Sequence, residues 1–348
     1  MKKTLIAAVL IAAAVLGLAG CSKAAKADEY GWYHDFDAAQ NIAKRQNKNL
    51  FLLISRSGDD EDSADAKLKI FNTKEFIANV SKDFVPVNLS FTQADYQNTI
   101  AAEGATAKEQ KAADKRAEQL KKDESIVNRY IIRVTPAIVL LTKEGYAICT
   151  IPYDRDITTP EAYAAVLAGK QENVKKFNEL AAAVKKGSSK EKVAAIDALY
   201  EATEEQFRLN LYDLYKQVPD LDKKNETGLL NKYIIQSAMG KSYYLIEDRE
   251  VINAAKVFAD TGADERLTLE ERQQMYYSAG YVLMQTSNSD YELIIGYLQS
   301  AYDVNPNGDL APTIKQIIES VKQQQAVYGN KPAENSKTNE QEQQKDAK

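Results

Sequence analysis

Val134-Thr135-Pro136-Ala137-Ile138-Val139-Leu140-Leu141 puts a proline directly ahead of an apolar run. The turn Lys143-Glu144-Gly145 and the apolar stretch Tyr146–Ile151 follow, so Ala137–Leu141 and Tyr146–Ile151 read as the arms of a β-hairpin. Working outward, Leu50–Ile54 (LFLLI) is a continuous apolar run set behind Asn47-Lys48-Asn49. It is short and flanked by polar residues, which predicts a strand covered on both faces. Before it, Ala39, Ile42 and Ala43 recur at helical spacing within Asp37–Gln46. After it come an acidic turn from Ser57-Gly58, a helical stretch through Phe71, a short helix over Thr73–Ser81 and a strand over Phe84–Phe91. Ala101–Lys122 has few large apolar residues and predicts a solvated helix or hairpin arm, with amphipathic character resuming at Ile126–Ile132. The order β, α, β, α, β, β gives an α/β domain with a central mixed sheet and flanking helices, over residues 30–155.

From Pro160 the pattern is helical throughout to about Tyr328, interrupted at Gly187-Ser188-Ser189, Pro219, Gly228, Gly262 and Asn305–Gly308. A weak repeat places Ala238-Met239-Gly240 against Ala279-Gly280, which predicts a helical repeat or bundle over 160–328. Residues 329–348 hold no large apolar side chain and predict a disordered tail. The 348 residues include only 15 Gly and 8 Pro, consistent with long helices. Lys and Arg number 45 against 50 Asp and Glu, with no basic block, so nucleic acid is not an expected partner. One His and two Cys are too few for zinc-finger, iron–sulfur or disulfide-scaffold chemistry, and neither a metal nor a cofactor is implied.

The amino terminus carries Lys2 and Lys3, then the uncharged run Leu5–Ala19, too short for a membrane span. It ends at Leu18-Ala19-Gly20-Cys21, which resembles the lipobox of bacterial lipoproteins. The resemblance implies cleavage after residue 20, a diacylglyceryl thioether on Cys21 and usually acylation of its new amine. Residues 1–20 are then the signal peptide and 21–29 the lipidated cysteine and tether. Membrane lipid is the partner of that anchor, and the chain is exported to the bacterial cell envelope, on the periplasmic face or the cell surface. An ordinary cleaved signal with an incidental cysteine is the alternative.

Trp32 and Phe36, Lys48 before Leu50–Ile54, Phe71, Glu75-Phe76, Phe84–Phe91, Tyr130 and Val134–Leu141 together resemble the thioredoxin-like superfamily, in its secreted branch. The resemblance implies that Pro136 is a cis-proline ahead of a core strand, and that the redox cysteines of active members fall near Asp60 and Ser63. Here that segment reads Asp59-Asp60-Glu61-Asp62-Ser63, without cysteine. Thiol–disulfide exchange needs a thiolate, so the resemblance carries over the fold and not the activity. Ala279-Gly280, Leu283, Asp290-Tyr291, Leu298, Ala301 and Asn305-Pro306 are similar to a tetratricopeptide repeat with two extra turn residues. A generic helix hairpin fits them equally.

Cys149 lies in the apolar run Ala147–Ile151, where a buried core thiol is expected. His34, at a helix start, is expected to cap or pack there. Asp59–Asp62 with Asp65 lacks the calcium-loop spacing and reads as a solvated helix cap, with a cation site as the alternative. These features point to a lipid-anchored scaffold, adaptor or chaperone-like module that binds an envelope protein. The alternative is a one-cysteine thiol oxidoreductase using Cys149.

Overall fold

A computed structural model describes residues 26–56, 61–286 and 290–328. The signal and lipobox, Asp59 and Asp60, and the tail 329–348 lie outside the described residues. The elements run α1 Phe36–Gln46, β1 Asn49–Ser55, α2 Glu61–Ala66 closed by a π-helical turn over Lys67–Phe71, α3 Lys74–Val80, β2 Phe84–Ser90, α4 Gln93–Gln97, α5 Ala107–Arg129, β3 Ala137–Leu141 and β4 Ala147–Ile151. The sheet order is β2-β1-β3-β4, with β1 and β2 parallel and the other neighbours antiparallel. An α/β part with a mixed sheet and flanking helices, followed by an all-helical part, is the architecture expected above.

Alternation along β1 decides the layering, because successive side chains point to opposite faces. Leu50, Leu52 and Ile54 pack with Val85, Val87, Leu89, Val139 and Leu141 under α1 and α5. Phe51 and Leu53 face the other way, into a cluster with Trp32, Phe71, Phe76, Ile138 and Leu140. All seven positions of β1 are buried, as an apolar run without alternation requires. The helix predicted over Ala101–Lys122 starts later and runs on to Arg129, because Leu120 and Ile126 keep one stripe on the sheet.

The apolar core does not stop at residue 155. Helices α6 (Pro160–Ala168) and α7 (Gln171–Ala183) lay Tyr163, Leu167, Val174 and Phe177 on the second face of the sheet. The same cluster runs on through Val193, Ile196 and Leu199 of α8 (Ser189–Ala202), past the 3₁₀ turn Glu205–Leu211, and reaches Tyr233. The expected domain boundary therefore falls in the middle of a continuous core. Helical periodicity shows that one stripe is buried but not what covers it.

Short helices α9 (Tyr212–Tyr215) and α10 (Val218–Leu221) lead to an array: α11 Leu230–Glu247, α12 Val251–Gly262, α13 Leu269–Gln285, α14 Tyr291–Val304 and α15 Ala311–Tyr328. Each packs against the next around Phe258, Met275, Leu283, Leu298 and Ile318. The two glycines of the weak repeat are close-approach points. A Cβ on Gly240 would lie 2.6 Å from the Tyr212 ring, and one on Gly280 would lie 2.9 Å from Leu298 Cγ. Gln273 is buried in α13, and its amide nitrogen donates to the carbonyls of Ala301 (3.0 Å) and Asn305 (2.7 Å), closing the end of α14.

Asp123 is a buried carboxyl on α5 that accepts a 2.9 Å hydrogen bond from Gln119. Burial pushes it up to about 6, against the pull of Gln119 and the Arg116 charge. The unfolded carboxyl titrates near 4. The folded chain therefore holds the extra proton between about pH 4 and 6, and stability falls as pH rises through that window. Asp123→Asn is expected to flatten this slope and to raise stability at pH 7.5 by about 1–2 kcal/mol. Urea titrations at pH 4.5 and 7.5 check it, and an unaltered slope would show that another group sets the dependence.

Candidate functional site

Thr135–Pro136 is a cis peptide bond at the entry of β3. Beside it lies a groove of about 500 Å³ lined by Asp62, Val134, Pro136, Ile151, Tyr153 and Arg155 among others. Arg155 donates to Asp62 at 2.5 Å across this groove, joining α2 to the chain after β4. Asp65 is paired with Lys69 at 2.8 Å. Both ion pairs are largely exposed, where such contacts contribute about 0–1 kcal/mol. Ser63 belongs to α2, and Pro136 directly precedes β3. Among the described residues, no group of three or more His, Cys, Asp or Glu side chains is placed to hold a metal ion.

Cys149 does not line that groove. It sits on β4, 7 % exposed, opposite Leu140 and within the cluster that α7 covers. Burial pushes its thiol up, and Lys170 and a hydrogen bond with Asn173 offset this only in part. A thiol held in its neutral form is a poor nucleophile, since the thiolate is the reactive species. Iodoacetamide at pH 7.5 is expected to label Cys149 at least ~10-fold faster in 6 M guanidinium than in the native protein. Equal rates would indicate an open thiol and favour the one-cysteine alternative.

His34 acts otherwise than as a cap. Asp35 caps α1, accepting from the Ala38 amide, while His34 places Nδ1 2.9 Å from the Asn88 carbonyl and Nε2 2.9 Å from Asp28 Oδ2. Asp28 also accepts the backbone N–H groups of Tyr30, Gly31 and Trp32. Burial pushes the Asp28 carboxyl up, but His34 and these amides outweigh it and hold it below its usual range. His34 thus fastens the incoming chain to β2.

Two features were not predicted from the sequence. The first is a set of exposed apolar side chains at the junction of the two parts. Ile131 and Val134, in the loop before β3, are 40 % and 77 % exposed. Met239, Tyr243, Tyr244 and Ile246 on α11 are also exposed. The Arg133 charge bears on Tyr243 and the Arg129 charge on Tyr244. The second is a pocket of about 350 Å³ at the ends of β1 and β2, lined by Ile54, Arg56, Phe91, Tyr96, Glu124, Val127, Asn128, Ile132, Arg133 and Thr135. No short motif marks either feature.

Residues 229–327, which contain α11–α14 and all but the last residue of α15, match the family described as Uncharacterised protein C-terminal domain. An uncharacterized protein of Treponema pallidum (strain Nichols) is 20 % identical over 278 residues, covering 80 % of this chain and 84 % of the relative. Among solved structures, a DsbH oxidoreductase is similar with a TM-score of 0.32 and 16 % identity, over 46 % of this chain and 94 % of that one.

Proposed function

We propose that the chain is a membrane-anchored envelope lipoprotein in which a thioredoxin-like, redox-inactive domain and a tetratricopeptide-like helical array act together as a protein-binding scaffold, adaptor or chaperone-like module. The sheet order β2-β1-β3-β4 with one parallel pair supports the thioredoxin-like reading of the first part. Packing of each helix on the next from α11 to α15, with Gly280 against Leu298, supports the repeat reading of the second. On the thioredoxin-like reading the cysteines of active members fall near Asp60 and Ser63, and neither a carboxylate nor a hydroxyl there supplies the thiolate that attacks a disulfide.

The observation that carries the binding role is the exposed junction of Ile131, Val134, Met239, Tyr243, Tyr244 and Ile246. Exposed apolar surface rimmed by polar groups marks interaction sites, and Tyr, Met and Arg are the side chains enriched in them. Arg129 and Arg133 supply the charged rim. A photo-crosslinker at Tyr243 in native membranes is expected to capture a discrete protein that a crosslinker on α15, at the exposed Lys315, does not. Identical capture at both positions, or turnover of insulin disulfides by the purified protein, would overturn the reading.

A further inference from the structure

One end of the sheet collects positive charge. The Asn47-Lys48-Asn49 loop behind α1, the Ser81–Asp83 loop behind α3 and the β3–β4 turn all lie at the amino ends of β1 and β2. Helix α7 passes across them. Gln171 at its start donates to Asp83 at 3.3 Å, and Lys185 just beyond its end pairs with Glu144 at 2.5 Å. Segments 44–49, 79–84, 141–147 and 170–185 hold nine Lys and Arg against four Asp and Glu, in a chain whose net charge is −5. The entering segment 26–31 adds Lys26 against Asp28 and Glu29, which leaves an excess of four. Asp213, whose charge bears on Tyr146 beside the turn, is itself paired with Lys216.

Three of these cations are held by uncharged oxygens. Lys48 donates to the Ser81 carbonyl, Lys82 to Asn79 Oδ1 and Lys143 to Asn47 Oδ1, bonds that fix the ammonium groups without neutralising them. Arg45, Lys82 and Lys175 are exposed. Between the two loops and α7 runs a polar groove of about 470 Å³, bordered by Lys48, Lys82, Lys175 and Asn178 among others.

The chain enters the fold beside this end. A Cβ on Gly31 would lie 2.8 Å from Ile77 Cγ2 on α3, and the Ile77 carbonyl accepts the Ser81 amide at 2.9 Å, one helical turn on. Ser81 is the residue that holds Lys48. Under the proposed lipid anchor, Cys21 precedes Lys26 by five positions, a covalent reach of at most about 18 Å. A surface next to the entry is thereby kept close to the headgroups, whose field decays over about 8–10 Å at ordinary salt.

We propose that this basic end is a docking face for an anionic phospholipid bilayer, seating the fold on the membrane to which its tether leads. Clustered Lys and Arg are drawn to anionic headgroups, and the contribution grows with each cation near the surface. The groove admits a headgroup phosphate between Lys82 and Lys175, which border it from opposite sides. The proposal goes beyond protein binding and rests on the anchored reading.

The test is co-sedimentation of the full mature chain carrying Cys21→Ser, so that no acyl chain contributes. Vesicles of equimolar phosphatidylglycerol and phosphatidylcholine are expected to bind it at least about tenfold more tightly than pure phosphatidylcholine, and to release it at ~0.5 M salt. Replacing Arg45, Lys82 and Lys175 together by Gln is expected to weaken that binding about tenfold or more. The same change at Lys241, Lys315 and Lys322, exposed on α11 and α15, removes equal charge and is expected to leave it unaltered. Equal binding to both vesicles, no binding to either, or equal loss in both triple variants would overturn the proposal. So would displacement by polyglutamate at lower charge concentration than by the anionic vesicles, which would assign the face to an acidic protein. If the vesicles fail while Cys21→Ser still frees the protein from native membranes, the docking face falls and the anchor stands.

Discussion

Trp32→Ala is expected to lower the unfolding free energy by about 4–5 kcal/mol, a large part of the 5–15 kcal/mol typical of a folded chain. Trp32 is fully buried, with ring centroids 6.0 Å from Phe51, 6.5 Å from Phe71 and 6.0 Å from Phe76. Its indole N–H donates at 3.1 Å to the Phe71 carbonyl, at the end of the π-helical turn that follows α2. Alanine empties the centre of the cluster and strands that carbonyl in an apolar site, two penalties that add. Trp32→Phe keeps most of the volume and loses the bond, so about 1–2 kcal/mol is expected. Urea unfolding followed by far-UV circular dichroism measures both. Since the cluster runs on into α6, α7 and α8, the helical signal should melt earlier together with the sheet. A change below 1 kcal/mol for Trp32→Ala would refute the packing account.

Cys21→Ser is expected to move the protein almost wholly from the membrane to the soluble fraction of a native host. Buried methylenes contribute about 0.8 kcal/mol each, so two or three acyl chains hold a protein where electrostatics alone would not. Among the described residues no helix is long and apolar enough to cross a membrane and retain the variant. Fractionation with metabolic palmitate labelling reads the result. Unchanged membrane retention without label would remove the anchor from the proposal, and label retained on the Ser variant would place the lipid elsewhere.

Sequence reading reached the strands well because their signal is local. LFLLI became β1 with one added residue at each end, and the hairpin arms became β3 and β4. Helices α1 and α3 were legible from periodicity within a residue or two. What escaped was everything that depends on distant partners. The stripes of α6 and α7 announced burial, but only the fold shows that they lie on the sheet, which moved the limit of the first part. The pocket draws Arg56, Tyr96, Asn128 and Arg133 from four separate segments, so no spacing could have signalled it. Ile131 was unreadable for another reason: a β-branched residue is the last choice for a left-handed position, and local propensity argues against it. His34 was placed near a helix start correctly, yet its partners lie on β2 and in the entering chain.

The clasp at the amino terminus has a mechanical meaning. Tyr33 joins β2 at Val87 through two backbone hydrogen bonds, its amide to Pro86 and its carbonyl from Asn88, in parallel register. Directly before it, Asp28 gathers three amides and the His34 ring. A pull on the leading segment therefore enters the protein as shear along β2, spread over these bonds and the seated indole of Trp32, so that tension from whatever holds the front of the chain is borne by the sheet.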